Sequence, residues 1–156
     1  MTLQKILFSF EGRIGRGTYW LAILGLIVAA LVVTFAPFLL DSEEWAVLIV
    51  ALTSQFIWLL SLWPILAVGS KRLHDRNKNG WWLLAFWLLP FALFVGGFSI
   101  VFFDDPKTGR SGDFSTGSIL IFASLPPAIW GIVELGILPG TKGANLYGPD
   151  PAHPLA

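Results

Sequence analysis

The chain has 156 residues, ten lysines and arginines against ten aspartates and glutamates, no cysteine and 55% hydrophobic residues. Its mean hydropathy is +0.72, and its apolar share exceeds the roughly 45–50% of soluble domains. Zero net charge without a long basic run argues against nucleic acid as a partner, and the lack of cysteine excludes disulfides, thiol redox chemistry and Cys-ligated metals.

At the N-terminus Leu3, Ile6, Leu7 and Phe10 recur at i, i+3, i+4 and i+7, one face of a helix. The spacing predicts a short amphipathic helix lying along a membrane surface. The alternative is an early start to the first span, which Glu11, Gly12 and Arg13 oppose.

Four stretches then carry no charge: Gly17 to Leu40, Trp45 to Ser70, Asn79 to Phe103 and Phe114 to Val133, of 24, 26, 25 and 20 residues. About 20 apolar residues span a hydrocarbon core of about 30 Å. The expected fold is therefore all-α and integral to the membrane: a four-transmembrane-helix bundle behind a short N-terminal amphipathic helix. Spans are expected at about 18–40, 45–69, 81–103 and 116–138, with a tail at 139–156, in a single membrane domain, because too little chain remains for a second core. The first run exceeds a signal-peptide core of about 7–15 residues and is read as a retained anchor.

Eight of the ten Lys and Arg fall on one side of these spans. Lys5, Arg13 and Arg16 precede the first, Lys71, Arg72, Arg76 and Lys78 separate the second and third, and Lys142 is in the tail. Only Lys107 and Arg110 fall on the other, so the positive-inside rule puts both termini in the cytoplasm. The outer loops are expected at Asp41–Glu44 and, as a solvated segment, Asp104–Ser115.

Tyr19, Trp20, Trp45, Trp81 and Trp82 open spans as interfacial aromatics. Pro37 and Pro64 lie near expected helix ends, whereas Pro90, Pro126 and Pro127 are expected to kink or open spans three and four. Gly25 and Ala29, four apart, offer a small patch for close helix packing. Gln55 sits beside Thr53 and Ser54 near the middle of span two and needs a partner, an interhelical hydrogen bond or a substrate contact. Glu134, embedded near the end of span four, is read either as an ion-pair partner of Arg13, Arg16 or Arg72 or as a coupling site.

Three polar segments share the cytoplasmic side: the lead-in Phe10–Trp20, the hinge Lys71–Trp82 and the tail Pro139–Pro151. Their patterns, GRxGRxxYW, KRLHDxxxxGWW and PGTxGxNxYGPDP, resemble the bacterial inner-membrane family known as domain of unknown function 805. The resemblance covers the whole chain and implies a small multi-pass protein of the bacterial cytoplasmic (inner) membrane, without an assignable activity. The family's hinge reads closer to RLHDxGRSGWW; Asn77, Lys78 and Asn79 stand at the departing positions.

Arg13 and Arg16, three apart, are expected to share a helical face and hold lipid phosphates or a carboxylate through their planar forks. With Lys71, Arg72, His74, Asp75 and Arg76 they form the candidate rim for anionic lipid or a protein partner. His74 beside Asp75 invites acid–base chemistry, but no nucleophile accompanies them, and a structural turn in which Asp75 caps or pairs Arg76 explains the same residues. No enzyme is expected. No cofactor or metal is expected either, since the histidines are His74 and His153 alone. In the tail, Asn145, Tyr147 and Asp150 suit tight turns; Leu146 and Tyr147 are the expected anchors, with Asn145 bonding the backbone of the hinge or lead-in. The favoured reading is a structural or interaction protein whose cytoplasmic rim binds membrane lipid, a partner protein or its own copy. The alternative is a small oligomeric transporter or channel using Glu134.

Overall fold

The computed structural model describes residues 1–39, 44–103 and 113–152. The expected outer loops, apart from their edges, and His153 lie outside the described residues. Among the described residues five helices follow in order: α1 (Leu3–Phe8), α2 (Arg16–Leu39), α3 (Glu44–Asp75), α4 (Leu89–Phe102) and α5 (Phe114–Ile132). One π-helical turn, Leu84–Leu88, leads into α4, and another, Val133–Ile137, extends α5. Among the described residues four helical stretches are long and apolar enough to cross a membrane: Arg16–Phe35, Leu52–Asp75, Leu84–Phe102 and Phe114–Ile137. This is an all-α membrane protein.

The chain divides into two compact units, one of Met1–Lys78 with Pro139–Ala156, the other of Asn79–Leu138. In the first, α2 packs on α3 and α1 packs on α3. Thr2 caps α1 by accepting the Lys5 N–H at 3.4 Å, and the helix ends at Ser9. The chain from there to Arg16 is not helical, and Gly12 takes a φ of +87°, a region where a side chain would be strained. The N-terminal helix is therefore separate, and not an early start of the first span.

The second span's helix runs past residue 69 to Asp75, so Lys71–Asp75 is its last turn instead of a loop, and Pro64 lies inside it rather than near its end. Beyond Asp75 the Lys78 N–H donates to the Leu73 carbonyl and the Asn77 N–H to that of His74, both at 2.9 Å. This is a Schellman cap, with Asn77 at the left-handed position, φ +55°. Asn77 stands where the resembling family carries glycine, the other residue that tolerates this conformation. Asn77→Gly is expected to leave thermal stability unchanged or higher, and Asn77→Val to lower it by about 1–2 kcal/mol. Equal unfolding midpoints for the two variants in detergent would refute the cap.

In the second unit α4 and α5 pack together at glycines. A Cβ on Gly97 would lie 2.6 Å from the Gly117 carbonyl oxygen, and one on Gly117 2.7 Å from that of Gly97. Gly131 approaches Phe86 in the same way, its added Cβ 2.9 Å from the Phe86 Cβ. The patch expected at Gly25 and Ala29 is not used for such packing: a Cβ on Gly25 meets nothing within 4 Å. Pro90 follows the first π-helical turn, whose hydrogen bond runs from the Leu89 N–H to the Leu84 carbonyl. The wider turn absorbs the proline's missing donor. α5 is continuous through Pro126 and Pro127.

Asp113 caps α5, its carboxylate accepting both N–H and hydroxyl of Ser115 and Thr116. These bonds, the Thr116 hydroxyl foremost, pull its pKa down to about 2. The sequence Asp-Phe-Ser-Thr before an apolar run was the available signal for this cap.

Candidate functional site

The last turn of α3 presents an unusual run of charge: Lys71 and Arg72 are both 0% exposed, and Asp75 is buried beside them. Each cation meets oxygens. The Lys71 ammonium donates to the carbonyls of Lys5 and Ser9 at 2.6 Å, and to that of Ile6. The last carbonyls of a helix lack full intrahelical pairing, and Lys71 supplies a donor beside the Ser9 N–H that the Lys5 carbonyl also accepts at 3.3 Å, so it closes the end of α1 and ties it to α3. Arg72 donates to Asp75 Oδ2 one helical turn away.

The other carboxylate oxygen of Asp75 receives Arg13. Nε and Nη2 of Arg13 donate to Oδ1 at 3.2 and 3.0 Å. The remaining donors reach the tail: Nη2 to the Thr141 carbonyl at 2.7 Å, and Nη1 to those of Gly143 and Gly148 at 2.7 and 3.1 Å. All five guanidinium N–H groups are thereby used, and Arg13 is 5% exposed. Arg13 precedes α2, so it does not share a helical face with Arg16 as expected. Its guanidinium points into the protein, away from any lipid phosphate.

The tail folds onto this pair. The Thr141 N–H and hydroxyl donate to the Asp75 carbonyl at 2.8 and 3.0 Å. Asn145 Nδ2 donates to the His74 carbonyl at 2.9 Å, the hinge contact anticipated for it, and its Oδ1 accepts the Tyr147 N–H. Asn145 and Gly148 exchange backbone hydrogen bonds around a tight turn, and Asp150 accepts the Gly143 N–H at 3.1 Å. A Cβ on Gly140 would fall 2.6 Å from the Asp75 carboxyl carbon, so only glycine lets the tail pass this close. Tyr147 is an anchor, its ring stacked on His74 with centroids 3.9 Å apart and planes 3° from parallel. Leu146 is not: at the tip of the turn it is 85% exposed.

His74 and Asp75 have separate partners. His74 Nδ1 lies 3.3 Å from the Gly12 carbonyl, which can only accept, so this nitrogen carries a proton. Nε2 lies 3.4 Å from Ser70 Oγ. Asp75 is held by Arg13 and Arg72, not by Arg76 as the turn reading suggested; Arg76 donates to the Pro139 carbonyl at 2.7 Å. Ile14 donates its N–H to the Lys71 carbonyl at 3.4 Å and is buried. Lead-in, hinge and tail thus form one knot around two guanidiniums and a carboxylate.

The sequence profile of the family described as protein of unknown function (DUF805) matches residues 7–149. The chain belongs to that family. The family's polar patterns, which looked like three separate features, are the parts of one buried network here. "Uncharacterized protein YiiR" of Escherichia coli (strain K12) is 36% identical over 155 residues, covering 96% of this chain and 90% of the relative. Two relatives from the same strain are named inner membrane proteins and are each 27% identical. "Inner membrane protein YhaI" is matched over 73% of this chain and 89% of its own length, and "Inner membrane protein YhaH" over 97% and 93%. No solved structure matches.

Two further candidate residues are Gln55 and Glu134. Gln55 is exposed on α3 and makes no hydrogen bond among the described residues, so the expected interhelical bond is not formed there. Glu134 is 1% exposed in the π-helical turn after α5, in the second unit. Of the cations, Lys5, Arg16 and Lys142 have exposed side chains. Sequence reasoning missed Gly12, Gly143 and Gly148, which serve the knot through backbone carbonyls and positive φ angles, and Thr141, which serves it through both its carbonyl and its hydroxyl. The one accessible signal was the density of glycine in the tail.

Proposed function

We propose that the protein is a non-enzymatic inner-membrane protein with both termini cytoplasmic, whose cation-bearing end docks on anionic lipid headgroups. The observation that carries this is the division of labour among cations. Arg13, Lys71 and Arg72 are buried in the knot, and Lys5, Arg16 and Lys142, each next to or within three residues of a knot residue, face outward. An exposed cation near an anionic leaflet gains about 1 kcal/mol, and the knot holds these three on a rigid base. The excess of Lys and Arg on the same side favours a cytoplasmic placement. A non-catalytic role is supported by His74 and Asp75, whose polar atoms are engaged with different partners.

The test is native mass spectrometry of detergent-purified protein, wild type beside Lys5→Gln/Arg16→Gln/Lys142→Gln, scored for phosphatidylglycerol against phosphatidylcholine. Three lost contacts of that size predict a fall in phosphatidylglycerol retention of at least about tenfold. Equal retention of the two lipids by the wild type would sink the reading. A second reading, an oligomeric transporter, draws support from Glu134, a buried carboxylate within a π-helical turn, a feature frequent at functional sites.

A further inference from the structure

α1 is fastened to the protein by its backbone and not by its side chains. The Lys71 ammonium takes the carbonyls of Lys5, Ile6 and Ser9, and Trp63 Nε1 donates to the Phe8 carbonyl at 3.4 Å. Just past the helix, the Phe10 ring meets the Trp63 ring edge to face, with centroids 5.2 Å apart. Leu3, Ile6, Leu7 and Phe8 make α1 largely apolar, yet the protein buries none of its residues. Leu3 is 71% exposed and Phe8 57%.

A helix this short does not hold in water on propensity alone and needs packing around it. One that is apolar on most of its surface needs an apolar environment. The position of α1 decides what supplies it. Trp63 lies inside the membrane-crossing stretch Leu52–Asp75, twelve residues before its end, which is about 18 Å along the helix. Leu3, Ile6 and Leu7 wall one concavity with Thr18, Leu21 and Gly25 of α2, all of them within the crossing stretch Arg16–Phe35. The outward side chains beside α1, Leu21 and Leu24 on α2 and Leu59 and Trp63 on α3, are exposed. In a crossing helix such side chains face hydrocarbon. The uncovered Leu3 and Phe8 continue that lipid-facing surface.

We infer that α1 is immersed in the acyl chains of one leaflet, the one on the side of the knot, against the first two spans. Hydrocarbon covers Leu3 and Phe8, while the exposed Lys5 extends its ammonium back to the headgroups. The carbonyl end of α1 seals the Lys71 ammonium from the lipid, where an unpartnered cation would be costly. This surface is apolar and does not rest on the anionic-headgroup reading above.

The chain has no cysteine, so Leu3→Cys and Phe8→Cys, with Leu21→Cys as the hydrocarbon reference, each carry a single nitroxide label. The full chain is reconstituted in phosphatidylcholine vesicles, which hold no anionic headgroup. Power saturation then reads collisions with oxygen, enriched in hydrocarbon, and with a water-soluble nickel chelate. The labels at Leu3 and Phe8 are expected to match the reference, colliding several-fold more often with oxygen than with the chelate. The opposite ratio at both positions, with the reference unchanged, would place α1 in water and overturn the inference. Protection from both reagents would assign the face to a second copy and overturn it equally. Because a label can itself unpin so short a helix, the unlabelled wild type is also photolysed with a phosphatidylcholine carrying a mid-chain diazirine. Lipid adducts are expected on the tryptic peptide Ile6–Arg13; adducts on the spans with none on that peptide would overturn the inference.

Discussion

Asp75→Ala is expected to destabilise the first unit by about 3–5 kcal/mol, the cost of leaving buried charge uncompensated. Asp75 is the acceptor for both Arg13 and Arg72, one on each carboxylate oxygen, and all three side chains are buried. Arg13→Met is expected to cost less, because it leaves the Asp75–Arg72 pair intact. Its additional effect is on the tail, which loses the donor for the carbonyls of Thr141, Gly143 and Gly148. The two variants are separated by thermal unfolding in detergent and by limited trypsin digestion at Lys142. Asp75→Ala should unfold at the lower temperature, whereas Arg13→Met should remain folded with faster cleavage at Lys142. An Asp75→Ala protein as stable as wild type would show that the carboxylate does not hold the knot.

Gly97→Leu is expected to separate α4 from α5. Its first added carbon would already stand 2.6 Å from the Gly117 carbonyl oxygen and 2.9 Å from the Ile121 backbone nitrogen. Backbone cannot yield as a flexible side chain can, and overpacking of this kind costs about 1–3 kcal/mol even when it is accommodated. The neighbouring glycine supplies the control. A Cβ on Gly96 meets nothing within 4 Å, so Gly96→Ala should be neutral or gain up to about 1 kcal/mol from helix propensity. Resistance to unfolding by SDS, read by circular dichroism, distinguishes them. Equal loss from both would place the sensitivity in the helix itself and not in its contact with α5.

The spans were legible because an uncharged run of 20 or more residues has one stable solution in hydrocarbon. The separate N-terminal helix was legible from the spacing of Leu3, Ile6, Leu7 and Phe10 with the Glu-Gly-Arg that follows. The convergence of lead-in, hinge and tail followed from counting crossings. The pairings within that end were not legible. Arg13 was assigned to a helical face it does not occupy, because the left-handed Gly12 and a non-helical segment turn it toward α3 before α2 begins. Asp75 was matched with the adjacent Arg76, although the helical register favours Arg72 at i−3. Leu146 looked like an anchor by hydrophobicity, but a two-residue turn closed by Asn145 and Gly148 points it outward.

By itself the sequence determined the class, the four crossings, the family and the set of residues at the charged end. Each of these depends on local composition, or on period and order along the chain, and a linear string carries all three. The tertiary structure alone decided which cations are buried and which face outward, and which glycines bring helices together. Those outcomes depend on distances between residues far apart in the chain. Arg13 and Asp75 are separated by 62 positions, and nothing in their local sequence specifies that they meet.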